Sequence, residues 1–91
     1  MGTLAVHADE RVADLRFDAD RIVIDLMDGR TIAAPLAWFP RLFSATPEQR
    51  TRWERAGGGY GLHWPDLDED LSTEGLLRGA PAADLGRVSE A

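Results

Sequence analysis

His63 and the carboxylates of Asp66, Asp68 and Asp70 are the residues whose types and spacing first suggest chemistry. An imidazole can act as a general base near neutral pH. Carboxylates at alternating positions can supply oxygen ligands to Ca²⁺ or Mg²⁺. An EF-hand loop starting at Asp66 needs glycine at its sixth position and glutamate at its twelfth, but Leu71 and Leu77 stand there. The plainer reading is a solvated acidic loop, whose Ser72 and Glu74 favour the start of a following helix by capping and by the helix dipole. No metal or other cofactor is expected.

Gly57-Gly58-Gly59-Tyr60-Gly61 has the composition of a phosphate loop. A phosphate cradle places its glycines after a strand and before a helix. Here they follow a helical pattern and precede a strand-like one, so they read as a helix stop and a tight crossover. Trp38, Trp53 and Trp64 could form an aromatic platform, although indoles in a small protein mostly fill the core. A chain this short struggles to bury three of them. Trp64, beside the acidic run, is the candidate exposed anchor, and with Asp66, Asp68 and Asp70 it makes a candidate surface for a basic protein partner.

Arg41, Arg50, Arg52 and Arg55 make their segment locally basic against Glu48 and Glu54. Two short helices meeting at Ala45-Thr46 have the outline of a helix-turn-helix, which makes these arginines the candidate nucleic-acid surface. Surface pairing of Glu48 with Arg52 and of Arg50 with Glu54 is the plainer reading. His7 lies in an irregular stretch and no serine sits in a nucleophile-elbow pattern. No catalytic residue is expected.

The composition narrows the classes further. Ten cationic side chains, all arginine, stand against 16 Asp plus Glu, a net charge of −6 over 91 residues. That balance disfavours nucleic acid and anionic membranes as main partners. The absence of cysteine and lysine excludes disulfides, thiolate metal sites, Schiff bases and Walker-type phosphate binding. The opening residues show no signal-peptide pattern, and no apolar run approaches a membrane span of about 20 residues. Cytoplasm is the expected compartment, and the arginine-for-lysine usage reads as a GC-rich bacterial genome.

The elements that must position these residues can be read in order. Leu4 and Val6 could lead into a strand. Ala13, Leu15 and Phe17 alternate with Asp14 and Arg16, as in a half-buried strand. Asp18-Ala19-Asp20 reads as a turn, and Ile22, Ile24 and Leu26 as one face of a second strand. Asp28-Gly29 is a type I′ hairpin signal leading to Thr31–Ala34, which Pro35 ends. Leu36, Phe39, Leu42 and Phe43 have the spacing of a short helix with Pro40 in its first turn. Thr46, Pro47 and Gln49 form a capping box for a helix running to Ala56, with Trp53 as its anchor. A short strand follows around Leu62-His63-Trp64, and Ser72 caps a last helix closed by Gly79.

The run from Asp28-Gly29-Arg30 through Trp38-Phe39-Pro40-Arg41-Leu42, Thr46-Pro47-Glu48-Gln49-Arg50, Trp53-Glu54 and the glycines to His63-Trp64-Pro65-Asp66-Leu67-Asp68-Glu69-Asp70-Leu71-Ser72 and Glu74-Gly75-Leu76-Leu77-Arg78-Gly79 resembles the domain-of-unknown-function 2442 family. The resemblance covers residues 11–79. It implies a small prokaryotic protein with no established catalytic residues. Some members resemble the N-terminal part of longer chains that carry a helix-turn-helix. Others are encoded beside a second small protein, which implies an antitoxin-like or regulatory pairing.

The expected fold is α+β: a three-stranded antiparallel β-meander packed with two or three short helices and a short fourth strand. One domain is expected over residues 1–79, and a disordered tail over 80–91. The expected function is a non-enzymatic interaction module for another small, basic protein. A nucleic-acid-binding regulator is the alternative, and metal-dependent binding or catalysis comes third. The oligomeric state is left open, since an unpaired meander edge can add a strand.

Overall fold

The structure is a computed structural model that describes residues 7–79. The tail expected at 80–91 and the strand lead-in at Leu4 and Val6 lie outside the described residues. Strands β1 (Val12–Phe17), β2 (Arg21–Leu26) and β3 (Thr31–Pro35) form the expected antiparallel meander in the order β1-β2-β3. Ile22 and Ile24 are completely buried and Leu26 nearly so, as their alternation predicts.

Two details of the meander depart from the alternation. The β1–β2 register slips between Val12 and Asp14, a bulge at Ala13. One extra residue on one strand flips the parity, so Val12, not Ala13, joins Leu15 in the core. The β2–β3 turn is not type I′. Gly29 has φ +99°, Asp28 keeps negative φ, and the Leu26 carbonyl accepts from the Gly29 amide at 3.1 Å. The Leu26 amide donates to Arg30 at 2.8 Å, closing a three-residue loop of Met27, Asp28 and Gly29.

A 3-10 turn (Leu36–Trp38) and helix α1 (Pro40–Phe43) replace the single expected helix. They are separated at Phe39, whose φ is −126° because a residue before proline is driven out of the α region. Leu36, Phe39 and Leu42 are buried, whereas Phe43 is exposed. Helix α2 (Pro47–Thr51) starts with the capping box read from the sequence: the Gln49 amide donates to Thr46 Oγ1, and the Thr46 amide donates to Gln49 Oε1.

The largest correction follows. Helix α2 stops at Thr51, and Glu54–Ala56 is a strand, β4. It pairs with β5 (Gly61–Trp64), which pairs with β6 (Glu69–Ser72), making a second three-stranded antiparallel sheet. The glycines therefore join two strands rather than ending a helix. Helix α3 (Thr73–Arg78) begins with Ser72 accepting from the Gly75 amide and ends at Gly79 in the left-handed conformation, as expected.

Side chains from both sheets and from the helical segments meet in one core: Val12, Leu15, Ile22, Ile24, Leu26 and Ala34 from the meander, Leu62 and Trp64 from β5, and Leu36, Phe39, Leu42 and Leu76 from the helical segments. Among the described residues no helix is long and apolar enough to cross a membrane.

Candidate functional site

The open edge of the meander borders a groove. Among the described residues β1 has only β2 beside it, while α3 packs against β3 on the far side. The Asp18 amide bonds the Arg21 carbonyl at 3.1 Å, which fixes the parity of the ladder. Asp14 and Arg16 then bond β2, and the amides and carbonyls of Leu15 and Phe17 point outward. At the N-terminal end this edge is closed, because Arg55 of β4 donates through Nε to the Val12 carbonyl at 3.0 Å and through Nη2 to the Ala13 carbonyl. The run from Asp14 to Phe17 is the open part.

Beside it lies a cavity of about 550 Å³ between β1, the turn at Asp18-Ala19, and α2 with Trp53. Leu15, Phe17, Pro47 and Trp53 supply its apolar walls, and Arg16 and Arg50 its cations. Arg50 is held at the groove by two carbonyls, Leu42 through Nε at 2.8 Å and Phe43 through Nη2 at 2.9 Å, and its guanidinium lies 5.6 Å from the Phe17 ring centre. Arg55 covers Trp53 in the same way at 5.2 Å. Both aromatic rings are thus fixed by a cation on one face.

Two carboxylates flank the open edge. Asp25 accepts from Thr31 and Arg16, which lower its pKa in that order. Asp18 is lowered by its bond from Arg21.

The residues singled out from the sequence fall elsewhere. Trp64 is fully buried, and its Nε1 donates to the Arg50 carbonyl at 3.1 Å. It is a core residue, so the candidate partner surface loses its aromatic anchor. Strand parity is the cause: Leu62 and Trp64 face inward, and His63 alone faces out. Asp66 and Asp68 lie in the β5–β6 turn, and Asp70 lies on β6. Asp66 pairs with Arg52 at 3.0 Å, Asp70 faces His63 Nδ1 at 2.6 Å, and Asp68 adopts φ +52°. The acidic run is therefore half turn and half strand. Glu54, His63 and Asp70 stand in one row across the second sheet. Among the described residues, no three His, Cys, Asp or Glu side chains are placed to share an ion.

The candidate nucleic-acid arginines are committed within the chain. Arg41 bonds the Asp68 carbonyl and pairs with the buried Glu69 at 3.8 Å, Arg52 holds Asp66, and Arg50 and Arg55 hold backbone carbonyls. They brace the join between the helical segments and the two sheets. Arg52 and Arg50 do not make the expected helix-surface pairs with Glu48 and Glu54, because the helix ends before those pairs can form.

The comparisons with known proteins agree with this architecture. None of the functionally curated proteins matches the chain. A crystal structure of a protein of unknown function from Rhodospirillum rubrum is similar at 40% identity, covering 80% of this chain and 90% of that one, with a TM-score of 0.69. A solution NMR structure of an uncharacterised protein from Chromobacterium violaceum shares the fold, at 24% identity with a TM-score of 0.72, over 88% of this chain and 75% of that one. The profile of the family described as protein of unknown function (DUF2442) matches residues 12–82, a span that includes both sheets, the groove and α3, and the chain belongs to that family.

Proposed function

We propose that this protein is a non-enzymatic interaction module that takes an extended segment of a partner protein as an added strand along β1. One observation carries the reading: the outward amides and carbonyls of Leu15 and Phe17 border a groove walled by Phe17, Trp53 and Pro47. An added strand gains main-chain hydrogen bonds from such an edge and specificity from a pocket for alternate side chains. Aromatic walls held rigid by Arg50 and Arg55 limit the ordering cost on binding. The family resemblance adds a setting, a regulatory or antitoxin-like pairing with another small protein.

The test is amide hydrogen exchange on the protein with its partner bound, after capture from its own host. The Leu15 and Phe17 amides are expected to become protected. Thr51→Trp, which fills the groove from the exposed end of α2, is expected to abolish capture. Unchanged exchange at both amides, with the partner bound, would refute strand addition.

A second reading keeps the acidic turn, since the Asp70 side chain is 73% exposed and Asp66 44%. Charge reversal at Asp66, Asp68 and Asp70 would then abolish capture while Thr51→Trp left it intact.

A further inference from the structure

The open edge carries an alternating charge pattern. Asp14 and Arg16 on β1, and Asp18 just past its end, alternate with Leu15 and Phe17. By strand period the charged three lie on the outer face of the sheet, and the apolar two face the groove. The Asp14 carboxylate has no hydrogen-bond or ion-pair partner among the described residues. Among the described residues Arg16 engages Asp25 through Nη1 alone, which leaves Nε and Nη2 without a partner there. Asp18 is engaged by Arg21 through Oδ2 and by the Asp20 and Arg21 amides, yet its side chain stays 45% exposed. On the groove side, Arg50 uses Nε and Nη2 and keeps Nη1.

Resting on the strand-addition reading, we propose that the groove selects an extended segment of another protein with the order cation–apolar–carboxylate–apolar–cation. Each residue of an added strand lies about 5 Å from the one opposite, and opposite charges stabilise while like charges destabilise. The two cations face Asp14 and Asp18, and the carboxylate faces Arg16. The two apolar side chains turn inward beside Leu15 and Phe17 and fill the space below Trp53. The order reads the same in both directions, so parallel and antiparallel addition satisfy it equally. A second copy of this chain fits poorly in the register centred on Arg16, because its own Asp14-Leu15-Arg16-Phe17-Asp18 would set like charge against like at each outer position. The segment's net positive charge also complements the chain's net −6.

The experiment titrates the protein with two end-capped peptides of equal composition and net charge, Gly-Lys-Leu-Glu-Leu-Lys-Gly and Gly-Glu-Leu-Lys-Leu-Lys-Gly, followed by calorimetry. The first is expected to bind about tenfold more tightly, because the permuted order sets two like pairs across the edge. Arg16→Glu, at an exposed site, is expected to erase the preference, and Thr51→Trp to weaken both peptides. Equal affinities on the unaltered protein, or no binding of the first peptide at millimolar concentration, would overturn the charge pattern and leave strand addition to its exchange test. Preference intact in Thr51→Trp with undiminished affinity would overturn the groove itself. A concentration-dependent dimer in sedimentation that the first peptide fails to dissociate would assign the edge to a second copy instead.

Discussion

Asp28 shows how one carboxylate can organise a region. Its side chain is only 6% exposed. It accepts from the Asp9 amide at 2.8 Å, the Arg30 amide at 3.0 Å, and the Arg30 guanidinium at 2.8 Å, tying the N-terminal approach to the β2–β3 loop. The Arg30 bond, then the two amides, hold its pKa far below the ordinary carboxylate range. Asp9, Asp18 and Asp25 are lowered in the same direction. A depressed folded-state pKa stabilises the fold above the unfolded value of about 3.9, and that contribution is lost as pH falls toward the folded value. Urea midpoints should therefore hold level from neutral pH to about 5 and fall below about 4. Asp28→Asn should lower the neutral midpoint and flatten the acid limb, and an acid limb of unchanged steepness would count against this role. Trp64 makes a second residue-scale case. Trp64→Phe keeps an aromatic ring in the core but leaves the Arg50 carbonyl unpaired. The expected loss is about 1–3 kcal/mol in urea unfolding, beyond any cavity effect. The Asp-Gly signal in the sequence located this turn, but neither the four-donor cluster around Asp28 nor the indole bond is visible without the chain's return path.

At the scale of elements, local chemistry was legible wherever the local sequence decides the outcome. The meander, the Thr46 capping box, the Ser72 cap and the Gly79 stop all depend on a few adjacent residues. β4 depends on something distant. Arg52-Trp53-Glu54-Arg55-Ala56 carries helix-compatible residues, yet its backbone pairs with β5, and Arg55 reaches the β1 bulge. Tertiary pairing overrides propensity there, and with it went the expected helix-turn-helix outline. The open β1 edge was foreseeable from the meander, whereas Trp53 as its facing wall was not. The hairpin between β4 and β5 is now the element to test. Gly57, Gly58 and Gly59 have φ +58°, +71° and +100°. A Cβ at Gly57 or Gly58 meets nothing within 4 Å, but one at Gly59 comes within 3.2 Å of the Arg11 side chain. Gly58→Ala should cost about 1–2 kcal/mol, the backbone penalty alone. Gly59→Ala should cost more, because its φ lies further from the left-handed well and Arg11 must move. Thermal unfolding of the two variants checks the order, and equal losses would show that the Arg11 contact carries no weight.

At the scale of the molecule, arginine joins parts that the hydrophobic core joins only on one side. Arg41 spans from α1 to the β5–β6 turn, Arg50 spans α2 to α1, and Arg55 spans the second sheet to the first. The planar fork of a guanidinium suits this work, since one side chain can satisfy two neighbouring carbonyls. Arg55 has a further consequence. The bulge at Ala13 turns backbone carbonyls toward the edge, and an uncovered edge is a template for unwanted pairing. Arg55 occupies two of those carbonyls and limits the open run to the stretch beside the groove. Arg55→Ala should therefore have two separable effects. Stability should fall by about 1.5–3 kcal/mol through loss of charge-assisted bonds to carbonyls. Self-association should rise, because the exposed edge is lengthened at its bulged end. Arg55→Lys should recover little of either, as a single ammonium cannot hold the same two-carbonyl geometry. Sedimentation velocity at matched concentrations, beside urea unfolding, separates the effects. A variant that is destabilised yet stays as monomeric as the parent would mean that Arg55 braces the two sheets without guarding the edge.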